Sequence, residues 1–234
     1  DNDITVVSIF VNPKQFNNPE DLTHYPRTLD KDLKLLEDKG CDIVFVPSVE
    51  VIYPEEVIQE YDFGQLDKVM EGLFRPGHFN GVAIVVKRLF DIVQPHRAYF
   101  GQKDYQQLAI IQALVRMENI PVEIKPCPTL RETDGLAMSS RNMRLTSSQR
   151  QNAHVIYKVL NKVRKKINQV ERDAIYQLVE REINNTPEMR LEYFEIVDTK
   201  TLQPISPTRG CQQCIACIAV FLGEVRLIDN IMLN

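Results

Sequence analysis

The sequence predicts an α/β protein in two parts, a doubly wound parallel sheet followed by a smaller α+β domain. Three observations carry this. Over the first half, short apolar β-branched runs alternate with amphipathic helical stretches, the rhythm of βαβ units. Beyond Leu145 two helical stretches come in succession and three strand-like runs follow, the order of an α+β unit. Between the two textures lies Arg131–Asn142, RETDGLAMSSRN, around which the chain is organised.

Ile4–Val11 (ITVVSIFV) is apolar except at Ser8, as suits a strand covered on both faces. It stops at Asn12-Pro13, because proline donates no ladder hydrogen bond. Doubly wound sheets bind ligands beyond the carboxyl ends of their strands, so Asn12 and Gln15 are placed to meet one. Simple turn shaping by Asn-Pro is the open alternative. Asn17–Arg27 is a loop rich in turn residues. Thr28 caps a helix that carries Leu29, Leu33 and Leu36 on one face and ends at Gly40. Asp42–Val46 is the next strand, which completes a right-handed βαβ unit.

Arg75-Pro-Gly-His-Phe79 is a turn in which His78 suits a base, a ligand or a cap. Val82–Val93 is an apolar packing helix that ends at Gln94-Pro95. Ala98–Phe100 is a short strand, and the helix after it runs to Met117 with Leu108, Ile111, Leu114 and Val115 inward. Val122–Lys125 is a strand that Pro126 and Pro128 stop. Thr146 opens a helix reaching about Ile167, and Glu171–Asn184 forms another. Arg190–Val197, Cys214–Leu222 and Val225–Met232 are strands, with a hairpin turn at Gly223-Glu224.

Two segments carry anion chemistry. In the first, Gly101-Gln102-Lys103-Asp104, Gly101 permits close backbone approach and Asp104 is a candidate N-cap. Lys103 stands at the positive end of a helix, which disfavours a cation unless an anion lies between. Gln107, one turn in, reaches over the same strand end. The second is Met138-Ser139-Ser140-Arg141, just past a tight turn at Gly135. Two hydroxyls, a guanidinium and turn N–H groups are the usual holders of phosphate oxygens.

Other features read as structural. Lys162–Lys166 is a solvated basic helix face. Asp62-Phe63-Gly64 spells a kinase triplet but lacks every accompanying kinase motif. Cys211, Cys214 and Cys217 do not suit a metal, since residues three apart on a strand face opposite ways. They are expected to be buried small hydrophobes.

A formal charge of −4 over 234 residues argues against a nucleic-acid-binding surface. No apolar run is long enough to span a bilayer. Five cysteines, an odd number, suggest reduced thiols and a cytoplasmic protein.

The motifs FVNPKQF (Phe10–Phe16), YPRT (Tyr25–Thr28), RPGHFNGV (Arg75–Val82), FGQKDYQQL (Phe100–Leu108), RETDGLAMSSRN and RLIDNI (Arg226–Ile231) occur in this order across nearly the whole chain. Together they resemble the pantothenate synthetase family, also called pantoate–β-alanine ligases, of the nucleotidylyltransferase superfamily. The resemblance implies a Rossmann-like domain over residues 1–129 and a smaller α+β domain over 130–234 that carries the MSSR loop. It implies formation of pantoyl adenylate from ATP and pantoate, then attack by the amine of β-alanine, with magnesium accompanying ATP and no protein ligand for it assigned. Gly101, Gln102, Lys103, Asp104, Leu130, Met138, Ser139, Ser140 and Arg141 then correspond to the ATP site. Lys103, Ser139, Ser140 and Arg141 carry the catalytic work. Gln15 and Gln107, with Asn12 beside them, correspond to the pantoate and β-alanine site, and a homodimer is implied. The family's Pro-Thr-Met-Gly turn and His-x-Gly-His motif are not in these residues. The resemblance therefore implies a natural chain with about one further βα unit ahead of Asp1, and activity that needs it. Another nucleotidylyltransferase, or a binding protein without catalysis, stays open as an alternative.

Overall fold

Two short parallel strand pairs and one antiparallel sheet frame the protein. The structure, a computed structural model, describes residues 2–17, 19–205 and 213–233. β1 (Val6–Ser8) leads through a tight turn at Pro13–Gln15 and α1 (Pro19–Thr23) to α2 (Leu29–Asp38). β2 (Ile43–Phe45) then lies parallel to β1, with Val6 opposite Ile43. The apolar run Ile4–Val11 is thus only partly strand. The N–H of Ile9 still donates to Phe45, but the ladder ends before Pro13. Thr28 precedes α2 as expected, yet its hydroxyl donates to the Asp32 carboxylate instead of capping the backbone.

α3 (Val49–Ile52) and α4 (Met70–Phe74) precede the long α5 (His78–Val93). α5 starts four residues before the expected Val82, because Gly77 in the left-handed region turns the chain directly into it. Gly81 lies where α5 crosses the Pro13–Gln15 turn; a side chain there would run into the Lys14 carbonyl. β3 (Arg97–Gly101), α6 (Tyr105–Met117) and β4 (Glu123–Cys127) form a second βαβ unit, with Arg97 opposite Glu123. Pro126 does not stop β4. It pairs with Phe100 within the ladder, which a proline tolerates on an edge strand.

The single helix expected from Thr146 is two, α7 (Ser147–Ala153) and α8 (Val155–Lys166), which divide at His154. Thr146 and Gln149 form a reciprocal capping box at the start of α7. α9 (Arg172–Asn184) follows, and then β5 (Met189–Asp198), β6 (Cys214–Leu222) and β7 (Val225–Met232) in sheet order β5-β6-β7.

The cores follow these units. Val82, Val86, Phe90, Ile110, Ile111 and Leu114 join α5 to α6. Val159, Leu160, Ile175, Val179, Ile218 and Val220 pack α8 and α9 on the antiparallel sheet. A third cluster, with Met70 and Ala109 on one side and Val197, Ile215 and Cys217 on the other, joins the two halves. Cys214 and Cys217 face opposite sides of β6, one in each of the last two clusters, as strand geometry requires. Cys41, Cys127 and Cys217 are free, but Cys214 is disulfide-bonded, which corrects the expectation of reduced thiols. An odd count permits a bridge so long as one thiol remains. Cys211 lies outside the described residues. No helix among those residues is long and apolar enough to cross a membrane.

Candidate active site

The antiparallel sheet and the parallel βα layer meet along a cleft of about 710 Å3. Lys103 and Asp104 enter it from the first half, at the turn Gln102–Asp104 between β3 and α6. Ser139 and Arg141 enter from the second. The two anion segments, distant in sequence, therefore face one cavity.

Their settings differ. Asp104 precedes α6 but makes no side-chain cap bond, so its half-exposed carboxylate is left to the cleft. Lys103 is mostly buried, and its ion-pair contact, with Asp104, is long at 4.0 Å. Gly101 and Gln102 supply backbone behind it. Arg141, by contrast, is engaged: its guanidinium donates to Asp21 at 2.8 Å, and Arg144 donates to the other oxygen at 2.7 Å. Burial would raise the Asp21 carboxyl, but the two arginines outweigh it and hold it below the usual carboxylate range.

The Ser139–Arg141 loop is built locally. Gly135, at positive φ, closes a small hairpin in which Arg131 bridges Ala137, so the predicted tight turn is present. The Met138 N–H donates to the Leu130 carbonyl, and both side chains are exposed. Ser139 accepts from the Arg141 N–H and so caps the turn that follows. Ser140 donates to the hydroxyl of Tyr25 in the facing loop.

The glutamines are held differently. Asn12 is almost fully buried and every bonding capacity of its amide is used. It accepts from Tyr53 and the Lys14 N–H, and donates to the Gly81 carbonyl and to Gln15 Oε1. It thus ties Gln15 to the turn. The Gln15 carbonyl accepts from Arg75 and from His78 Nδ1. Gln107 lines a cavity of about 40 Å3 together with His78 and Lys103. Burial, then the Arg75 charge, lowers the pKa of His78 to about 4. With Nδ1 donating to Gln15 and Nε2 accepting from Arg75 at 3.2 Å, His78 is a neutral positioning group.

Sequence reasoning missed a second layer. Glu71, 7% exposed, receives a bidentate pair from Arg226 at 2.7 and 2.8 Å and the hydroxyl of Tyr193 at 2.7 Å. Burial would raise Glu71, but Arg226, with Tyr193 and Arg75 behind it, brings it down to about 2. This knot joins α4 to β5 and β7 at the floor of the cleft. Arg226 lay in a recognised motif, but nothing in the sequence named its partner. Among the described residues no group of three His, Cys, Asp or Glu side chains is placed to hold a metal.

The class this fold and cleft define is an α/β protein with a deep cleft between its two halves, lined by cations and carboxylates alike, with Lys103 on one wall and Arg141 on the other. The pantoate-beta-alanine ligase family model matches residues 1–232. The chain is 54% identical to the pantothenate synthetase of Azobacteroides pseudotrichonymphae over 232 residues, 99% of this chain and 83% of that protein. It is also 54% identical to the pantothenate synthetase of Bacteroides thetaiotaomicron, covering 99% and 82%. Its fold superposes on pantothenate synthetase from Thermus thermophilus with a TM-score of 0.93 at 43% identity, covering 99% and 84% of the two chains. It matches the Francisella tularensis ligase, complexed with beta-gamma ATP and beta-alanine, at 0.83 and 36%, covering 99% and 80%. The chain belongs to the pantoate–β-alanine ligase family, a family of ligases.

Proposed function

We propose that this chain joins pantoate to β-alanine at the expense of ATP, through a pantoyl adenylate. The observation that carries the reading is the convergence of Lys103 with Ser139 and Arg141 on one cleft, in a chain of this family. A pantoate carboxylate oxygen attacks the α-phosphorus of ATP, the bond to the β-phosphate breaks, and pyrophosphate leaves. The amine of β-alanine then attacks the activated carbonyl carbon, the C–O bond to phosphate breaks, AMP leaves, and the nitrogen loses its proton to solvent.

Such chemistry needs charge stabilisation and alignment more than a reactive side chain. Lys103 neutralises the leaving phosphates from one wall. Arg141 does so from the other once Asp21 gives way, with Ser139 and Ser140 as hydroxyl donors. Leu130 and Met138 offer apolar surface to the adenine, and the backbone of Gly101 and Gln102 lies beneath the nucleotide. Gln15 and Gln107 hold pantoate, with Asn12 as the support of Gln15. Magnesium, when bound, spreads the charge of the triphosphate. Of the cleft residues, Asp104, whose carboxylate is open to the cleft, would be the one to help hold it.

The same reading divides the chain into a Rossmann-like unit over 1–129 and a smaller α+β unit over 130–234, in a cytoplasmic homodimer. The test is pyrophosphate release by the protein with ATP and magnesium, before β-alanine is added. Release that requires pantoate supports the reading; ATP binding without release rejects it.

A further inference from the structure

The motif RLIDNI has no part in the chemistry above, yet its last polar residues touch the first anion segment and Arg131, at the base of the hairpin that leads to the second. Asn230 is 8% exposed on β7. Its carboxamide nitrogen donates to the Gln102 carbonyl at 2.9 Å and to the Lys103 carbonyl at 2.8 Å. Both N–H bonds of one amide are thus spent on two consecutive carbonyls of the turn that carries Lys103. That turn has no cap of its own from Asp104.

The main chain of Asn230 ties the other way. Its N–H donates to Asp229 Oδ1 at 2.8 Å, and its carbonyl accepts from Arg131 at 3.2 Å. Asp229, 4% exposed, takes Arg131 bidentately at 2.7 and 3.0 Å. Arg131 in turn donates to the carbonyl of Gly135, in the hairpin that leads to Ser139–Arg141, and lies 3.9 Å above the ring of Tyr157. An unbroken series of bonds therefore runs from the Lys103 backbone through Asn230, Asp229 and Arg131 to the hairpin that leads into the opposite wall.

We propose that Asn230 is a positioning residue for Lys103, setting its distance from the Ser139–Arg141 loop across the cleft. The proposal rests on the ATP-site reading of those segments. The residue type is specific to the task. A primary amide offers two donors on one uncharged atom with a fixed angle between them. Aspartate would set a carboxylate against two carbonyl oxygens, and serine supplies one donor. Shifts of the order of 1 Å in aligned groups cost about 100-fold in rate, so a loosened turn is felt in turnover before it is felt in binding.

The experiment measures pantoate-dependent pyrophosphate release and the KM for ATP in Asn230→Ala, Asn230→Ser, Lys103→Ala and the Asn230→Ala/Lys103→Ala pair. Asn230→Ala is expected to lower kcat about 10-fold with ATP KM within about twofold of wild type, and Asn230→Ser to fall between. The double variant should be no slower than Lys103→Ala, because Asn230 acts through Lys103. Unchanged kcat in Asn230→Ala, or losses that multiply in the double variant, overturn the proposal. So does failure of both Asn230 variants to fold by circular dichroism, which would make Asn230 a fold determinant. If Lys103→Ala keeps wild-type release, the ATP-site reading fails and the proposal falls with it. If Lys103→Ala is crippled while Asn230→Ala is not, only the positioning role fails.

Discussion

The two anion segments face each other across one cleft but are prepared in opposite ways. Lys103 is fixed through its backbone by Asn230, while its ammonium has no ion pair shorter than 4.0 Å among the described residues. Arg141 has its charge already matched, by Asp21 at 2.8 Å. Asp21 lines the cleft on α1, so a carboxylate of the protein stands where the cleft would receive a phosphate. On the proposed reading, one cation is preorganised for an incoming anion, and the other would exchange an internal anion for an external one. Preorganised charge acts without reorganisation at the moment of reaction; an exchanged pair regulates the cost of entry instead.

The comparison is broken most severely at Lys103. Lys103→Ala is expected to reduce pantoate-dependent pyrophosphate release by about 100- to 1000-fold, as removal of a preorganised charge does. A loss under about threefold in steady-state kinetics would mean that Lys103 is not the preset cation.

Next in size is the floor that keeps both walls in register. Glu71→Gln leaves Arg226 with Glu192 alone and should lower stability by about 3 kcal/mol, read by denaturant unfolding. The Glu71 carboxyl is held near 2 against a usual 4.5. A depressed carboxyl gives stability that is present above its unfolded pKa and lost as pH falls through the folded one. The wild type should therefore weaken between about pH 4.5 and 2, and this part of the acid transition should be absent from Glu71→Gln.

His78 adds a slope at higher pH. Its pKa of about 4, against 6.5 when unfolded, means the unfolded chain binds the extra proton between those values. Stability thus rises with pH from about 4 to 6.5. In NMR titration the His78 ring should stay neutral at pH 5.5; a midpoint near 6.5 would contradict its burial against Arg75.

The smallest change sharpens the contrast. Asp21→Asn removes the internal anion while keeping the side chain's shape, and should lower the KM for ATP by about threefold with little change in kcat. A higher KM would show that Asp21 aligns Arg141 instead of competing for it.

Legibility in the sequence followed the range of the interactions. GQKD and MSSR were readable because their chemistry is local: a cation at a helix start, hydroxyls in a turn after Gly135. The strands and helices were legible from period and turn residues, with errors at His154 and Pro126, where packing and an edge position overrode local punctuation. The expected ligand role of Asn12 was a different matter. Its place past a strand end suggested contact with a ligand, but only the fold brought Tyr53 and Gly81 around its amide.

By itself, the sequence determined the alternation of units, the turns that carry GQKD and MSSR, and the family, because each is written in neighbouring residues. The tertiary structure alone decided which charges are already matched and which are ready for a ligand. Asp21 meets Arg141 across 120 positions, Asn230 meets Lys103 across 127 and Glu71 meets Arg226 across 155. A pattern of local propensities carries no record of such pairings. They exist only once burial has brought the two halves together and made an unmatched charge costly.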